Sequence, residues 1–472
     1  MKRFEVVAFW QRRGRIGRGG LALLALSCAA VLGLGVVVGV RQLAGPTKSV
    51  RSATPAAIKT SLPPSPSPAP LLKTLDPNAP GPTAAGLSAA LAAAAANPAL
   101  GTLTARVIDS QTGAVLFDQN AGRALQPGST MKLYAAIAAA HSIKPGTRIT
   151  TKVVAGTAPG QIVLIGGGDP TLSTTNTSPY YPGSATVAQL AATIKPTLSG
   201  PVTSILVDDS AFAGPPEATG WGAGDAPSTY AASIYPVMVD GGRAEPGEDA
   251  MRSANPDLAA AKALAVALGF PTATAERGAA SPTAAVLGSV QSAPVEDLIE
   301  QALTQSDNVL AECIGRQIAI ANGLEPSFTG AVNAINKVLA ELGVDTTGRT
   351  AYDSSGLSQQ DLASAASIAS VLAVANGGKF PLTDTVNSAL AIAGYNGTLA
   401  TRFQSGSAAG AVGDVRAKTG TLTAVSALAG TVVTKDGRLL IFALLSNGGP
   451  DTIAARAGLD NMAAVLAGCG CR

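Results

Sequence analysis

Hydrophobic and polar positions divide the chain into regimes with different periods. From Leu21 to Val40 there are 20 consecutive residues without a charge, enough to cross a bilayer as a helix. Residues 41–84 show no period and are rich in Pro, Ser, Thr and Ala around Pro63–Pro70, which reads as an extended spacer or tether. A helix is predicted over residues 86–96. Residues 102–108 and 113–118 then alternate about Asp109-Ser110-Gln111-Thr112-Gly113, a hairpin pattern. Between about 147 and 285 the chain becomes Gly-, Pro- and Thr-rich, with short β-like runs such as Gln161–Ile165 and Ser204–Val207. This segment reads as an inserted, mostly β region with a helix at 257–268. Helical periods return at 295–304, 309–321, 333–342 and 360–375. Residues 415–434 and 438–446 flank Lys435-Asp436-Gly437 and read as one long hairpin. A last helix is expected at 451–466. With a helix and a hairpin near each end, the expected architecture is α+β, the termini packing together over one antiparallel sheet.

Composition refines this picture. Hydrophobic residues are 47% of the 472 and aromatics only 4%, so the core must be mostly aliphatic. The length allows two or three domains. Six basic residues against Glu5 give residues 1–20 a net +5, which leaves −2 of the total +3 for the rest. The body therefore lacks the electrostatic footprint of a nucleic-acid binder. A basic head before an apolar run places that head in the cytoplasm and everything after Arg41 outside. An uncleaved anchor is the preferred reading. The run is long for a signal peptide and no small-x-small cleavage site follows it. The expected divisions are a head (1–20), a membrane anchor (21–40), a linker (41–84), a first catalytic part (85–146), an insertion (147–290) and a second catalytic part (291–472).

Cys28 lies in the apolar run. A bridge from Cys313 to Cys469 or Cys471 would pin the C-terminus to the core, whereas pairing of Cys469 with Cys471 is expected to be strained. No Cys-x-x-Cys or His cluster suggests a metal, and no cofactor is implied.

The candidate chemistry centres on Pro127-Gly128-Ser129-Thr130-Met131-Lys132. A Pro-Gly break followed by good helix formers sets Ser129 and Lys132 at i and i+3 on one face. A hydroxyl is a weak nucleophile without a base beside it, and an amine can be that base when desolvation lowers its pKa. Ser306-Asp307-Asn308 falls between two helices, where Ser306 and Asn308 in a short extended link can face the same way; simple capping by Ser306 is the alternative. Ser253-Ala254-Asn255 is a chance match before a proline. Lys418-Thr419-Gly420-Thr421 opens a predicted strand. There Lys418 would point into a cleft, Gly420 would leave room for a ligand, and the Thr421 N–H would face a carbonyl oxygen. The only histidine, His141, lies about 18 Å from Ser129 along the helix axis and cannot activate it.

The three motifs in this order occur in penicillin-binding proteins and class A β-lactamases. Residues 85–465 resemble the D-alanyl-D-alanine carboxypeptidase/endopeptidase family, the class C low-molecular-mass penicillin-binding proteins. Gly166-Gly167-Gly168-Asp169-Pro170-Thr171-Leu172, Asp353-Ser354-Ser355-Gly356-Leu357-Ser358 and Gly397-Thr398-Leu399 with Arg402 also fit that family. The resemblance implies the penicillin-binding/serine β-lactamase-like transpeptidase fold with a large insertion. It implies Ser129 as nucleophile, Lys132 as base and Ser306 as proton relay. Asn308, Lys418, Thr419, Gly420 and Thr421 would bind substrate, and Lys418 would help keep Lys132 uncharged. The implied partners are peptidoglycan stem peptides ending in D-Ala-D-Ala and β-lactams. The expected location is a single-pass membrane protein with its catalytic part outside the cytoplasm. A β-lactamase or esterase on the same scaffold and a catalytically silent wall-binding protein are the rival readings.

Overall fold

A computed structural model describes Leu75, Asn78–Glu245 and Gly247–Arg472. All of these residues lie in one compact unit, Lys73–Arg472. The expected basic head and anchor, and the linker up to Thr74, lie outside the described residues. Among those described, no helix is long and apolar enough to cross a membrane.

In chain order, α1 (Ala84–Ala95) leads into β1 (Thr102–Asp109), β2 (Val115–Gln119), β3 (Ala124–Leu125) and α2 (Lys132–Ser142). The next segment carries β4 (Arg148–Ala155), β5 (Gln161–Ile165), β6 (Asp169–Leu172), α3 (Val187–Ile194), β7 (Ser204–Asp208), β8 (Val237–Val239), α4 (Pro256–Leu268), β9 (Thr274–Arg277) and β10 (Val286–Pro294). Then come α5 (Val295–Thr304), α6 (Asn308–Ala321), α7 (Phe328–Glu341), β11 (Ala363–Ser364), α8 (Ala365–Ala375), α9 (Thr383–Ser388) and β12 (Ala391–Ile392). The chain closes with β13 (Val415–Leu422), β14 (Val425–Val433), β15 (Leu439–Asn447) and α10 (Thr452–Ala467).

The main sheet has the order β12-β13-β14-β15-β1-β2 and is antiparallel throughout. The two ends of the described chain therefore meet at the β15–β1 pair, as the sequence predicts. Both faces of the central strands are covered. Ala427, Ala429, Ile441, Ala443 and Leu445 pack towards α2, α5, α6 and α8. Their neighbours Leu428, Phe442 and Leu444 face Leu87 and Leu91 of α1 and Leu459, Met462 and Leu466 of α10. Burial on both faces is why β14 and β15 read as unbroken apolar runs rather than alternating ones.

The segment between α2 and α5 builds a second sheet, β10-β4-β5-β7-β9, with parallel pairs at β5–β7 and β7–β9. Its core joins Val153, Leu164, Ile205 and Val207 to Leu190 of α3 and Leu264 of α4. The helix at 257–268 was expected; α3 was not. Its signal is a capping box, Thr186 with Gln189, at the head of eight residues.

Two further expectations need correction. The stretch 415–434 is not one strand. It turns at Thr423-Ala424, where Leu422 pairs with Val425 and Ala424 takes φ +57°. Such turns favour Gly or Asn, and neither marks this one. Among the described cysteines, Cys469 is bonded to Cys471 and Cys313 is buried and free. Cys313 sits in a cluster with Val309, Met238 and Phe328, away from α10 and the C-terminus.

Candidate active site

Pro127 and Gly128 stop β3 and start a short 3₁₀ turn, Gly128–Met131, that runs into α2. In a 3₁₀ turn positions i and i+3 eclipse, and this sets Ser129 against Lys132. The Thr130 hydroxyl closes the turn by donating to the Pro127 carbonyl at 2.8 Å. Asn447 at the end of β15 holds the approach to the turn, accepting from the Gln126 N–H at 2.9 Å and donating to its carbonyl at 3.1 Å.

The Lys132 amine lies 2.9 Å from Ser129 Oγ, 2.6 Å from Asn308 Oδ1 and 2.7 Å from the Ser355 carbonyl oxygen. Lys132 is 1% exposed. Burial is the main cause that pulls its pKa down to about 8, against the upward pull of Asp353, Glu312, Asp307 and Asp361. A neutral amine has two hydrogens and one lone pair. Asn308 Oδ1 and the Ser355 carbonyl can only accept, so they take both hydrogens. The lone pair is then left for the one neighbour with a proton to give, Ser129. The Asn308 amide is oriented by its other end, which donates to the Tyr230 carbonyl at 3.2 Å.

Ser306 and Asn308 do not share an extended link. Ser306 takes φ +60° and Asn308 is already the first residue of α6. The cap is neither of them: Asp307 accepts from the Leu310 N–H at 2.9 Å and from the Tyr181 hydroxyl at 2.6 Å. The sharp left-handed step at Ser306 nevertheless brings it to the wall of the cavity that holds Ser129.

That cavity measures about 340 Å³ and is also lined by Thr398, Arg402, Thr419, Thr421 and Arg456. The Thr419 hydroxyl donates to Thr398 Oγ1 at 3.0 Å. Lys418 is not on its wall. It is fully buried, donates to the Thr419 carbonyl at 3.0 Å, and is held well below the ordinary lysine value first by burial and then by the charges of Lys132 and Arg402. Burial is the first cause that lowers both lysines. Gly420 is also corrected. A Cβ there would strike the Pro127 carbonyl oxygen and come within 3.3 Å of the Ser129 nitrogen. The glycine makes room for the turn that carries Ser129, not for a ligand. On the other side of the same contact, a Cβ on Gly128 would lie 2.9 Å from the Thr421 nitrogen. The main-chain nitrogens of Ser129 and Thr421 thus flank one close approach.

Sequence reasoning missed the support behind Ser355. The carboxylate of Glu312, 0% exposed on α6, accepts from the N–H groups of Ser354 at 3.0 Å and Ser355 at 2.8 Å. Asp353 accepts from the N–H groups of Gly356 and Ser358, both at 2.7 Å, and from the Trp221 indole at 2.8 Å. Two buried acids therefore shape the loop whose carbonyl holds Lys132. Their signal is the acidic residue within Asn308-Val309-Leu310-Ala311-Glu312, four positions on from a site residue. His141 pairs with Glu341 at 3.6 Å on the far part of α2 and takes no part. Among the described residues no group of His, Cys, Asp and Glu could hold a metal.

A half-buried hydroxyl beside a buried amine of lowered pKa, with two main-chain nitrogens across a narrow gap, suits acyl transfer. Residues 87–250 and 243–468 match the family model described as D-Ala-D-Ala carboxypeptidase 3 (S13). The chain belongs to that family. It is 39% identical over 471 residues to carboxypeptidase DacB of Mycolicibacterium smegmatis, covering 98% of each chain. A carboxypeptidase of Mycobacterium tuberculosis is 40% identical over 397 residues, covering 83% of this chain and 85% of that one. The crystal structure of penicillin binding protein 4 from Haemophilus influenzae shares the fold at a TM-score of 0.65 and 18% identity, covering 79% of this chain and 97% of that one.

Proposed function

We propose that this S13 family member is a serine-type D-Ala-D-Ala carboxypeptidase acting on peptidoglycan stem peptides. The observation that carries the reading is the 2.9 Å contact between Ser129 Oγ and the buried Lys132 amine. Ser129 Oγ attacks the carbonyl carbon between the two D-alanines while its proton passes to Lys132. The oxyanion is held by the N–H groups of Ser129 and Thr421. Collapse of the tetrahedral intermediate breaks the C–N bond, and the proton returns through Ser306 to the leaving nitrogen. Free D-Ala departs and the ester on Ser129 remains. Water, deprotonated by Lys132, hydrolyses that ester and restores the hydroxyl. Asn308 both orients Lys132 and binds the substrate backbone. Thr419 and Thr421 face the leaving residue.

The same steps cleave a cross-link when the leaving nitrogen belongs to a second stem peptide, so endopeptidase action is the finer form of this proposal. β-Lactams enter as substrate mimics whose opened ring stays on Ser129. The membrane position is likewise proposed: a charge-free run of 20 residues behind a +5 head supports an anchor with the catalytic part outside the cytoplasm.

Digestion of a defined pentapeptide and of cross-linked muropeptides, with mass readout, tests the reading. Loss of one D-Ala and no reaction by Ser129→Ala is the expected result. Fast penicillin hydrolysis without D-Ala release would favour a β-lactamase instead. Absence of a covalent penicillin adduct on the wild-type protein would favour a silent wall-binding one.

A further inference from the structure

The substrate class proposed above ends in a free carboxylate, and the lysine first expected to meet it is 0% exposed, with its amine on the Thr419 carbonyl. Cations with surface on the cavity wall are better placed to touch it. Two guanidinium groups line the cavity beside Ser129, those of Arg402 and Arg456. They are not equivalent. Arg402 is neutralised by Asp460, with Nε at 3.1 Å from one carboxylate oxygen and Nη2 at 2.5 Å from the other. Arg456 stands one turn before Asp460 on α10, yet its side chain makes no hydrogen bond or ion pair among the described residues. Asp460 is turned to Arg402 instead. The three groups carry a net +1, and the two guanidinium groups share the cavity wall with Ser129. Desolvation first and then the charge of Arg402 act against the Arg456 cation, and the more distant pull of Asp460 only partly offsets them. Such a charge is stabilised when an anion joins it.

We infer that Arg456 is the recognition site for the free carboxylate of the leaving residue, with Arg402 braced by Asp460 beside it. The inference rests on the Ser129 acyl-enzyme reading and adds a substrate contact from the C-terminal helix. The ligand class is a D-amino acid residue with an unblocked carboxylate, whether alanine or the larger residue at a cross-link. Thr419 and Thr398, hydrogen-bonded to each other on the same wall, supply hydroxyls for the second carboxylate oxygen.

The full-length protein and its Arg456→Ala and Arg456→Gln variants would be acylated with benzylpenicillin and with its methyl ester, following adduct mass against time. Wild type should favour the free acid. Loss of one charge-assisted contact should slow acylation of Arg456→Ala by the free acid roughly tenfold to a hundredfold, with the ester rate unchanged. Arg456→Gln, which keeps the length of the side chain without its charge, should behave alike. Equal slowing with both compounds, or no slowing with either, would overturn the inference while leaving Ser129 acylation intact. A wild-type protein that forms no adduct with the free acid overturns the acyl-enzyme reading and this inference with it.

Discussion

The carbonyl of Ser355 accepts from the Lys132 amine at 2.7 Å, while the N–H of the same residue donates to the buried Glu312 carboxylate at 2.8 Å. One residue thus ties the base to an acid that never touches the nucleophile. Removing that acid leaves two buried amides without an acceptor and leaves Arg316, 3.7 Å away, without its counter-charge. Breaking a buried charge pair costs roughly 3–5 kcal/mol. Glu312→Ala should therefore lower the unfolding free energy by about that much in urea titration above the Glu312 pKa of about 7, where the carboxylate is charged. Glu312→Gln keeps one acceptor oxygen and should lose less. A Glu312→Ala protein as stable as wild type would remove Glu312 from this account.

Glu312 also predicts a pH dependence of stability. Burial first, then Asp353, raises its pKa from 4.5 to about 7 in the folded protein. Between those values the folded state holds a proton that the unfolded state has released. The contribution is fully present below about 4.5 and is lost as pH rises through about 7. Wild type should lose stability across that window relative to Glu312→Gln, which has no proton to lose. Parallel urea midpoints for the two proteins from pH 4.5 to 7.5 would exclude this origin.

Lys132 should set the alkaline limb of reactivity. Its pKa of about 8 means that the lone pair facing Ser129 is exposed only as pH climbs through that value. The rate of acylation by labelled penicillin should rise about tenfold per unit below pH 8 and level off above it. Lys132→Arg stays protonated at every pH used and should abolish the adduct. A flat profile from pH 6 to 9 would show that another group takes the Ser129 proton.

Much of this arrangement was legible in the chain. The central strands announce themselves because both of their faces are buried, which forces long apolar runs. Ser129 and Lys132 could be paired because a helical turn fixes their spacing. What remained hidden is main-chain chemistry. The Ser355 carbonyl has no residue signature, and a buried Glu312 looks like any helix-surface acid. The turn at Ala424 was invisible because its left-handed residue is not a glycine. Lys418 and Gly420 were placed on the right strand, but the burial of Lys418 and the Pro127 carbonyl against Gly420 were not foreseen. β13 packs directly on the Ser129 turn, and nothing in the local sequence states how close two segments 290 residues apart will come.

That close approach can be tested at Gly420. A methyl group there must displace the Pro127 carbonyl and with it the turn that aims Ser129. Overpacking of this kind costs about 1–3 kcal/mol, and a shift of about 1 Å in a reacting group can cost a hundredfold in rate. Gly420→Ala should fold, melt somewhat lower, and acylate at least a hundredfold more slowly. Wild-type acylation by this variant would mean that the strand can give way without moving the turn.

Asn308 offers the sharpest separation of geometry from charge. Its Oδ1 stands 2.6 Å from the Lys132 nitrogen. Asn308→Asp keeps the shape and the acceptor but puts a negative charge at that distance, which favours the ammonium form and raises the Lys132 pKa. Acylation at pH 7 should fall, and raising the pH should recover part of it, so that the limb seen near pH 8 in wild type moves upward. The Asp side chain also lacks the N–H₂ that donates to the Tyr230 carbonyl, so recovery should stop short of the wild-type plateau. Asn308→Ala removes the acceptor without adding charge and should lower the plateau without moving the limb upward. If both variants gave the wild-type limb at reduced height, Asn308 would act on the substrate alone and not on the base.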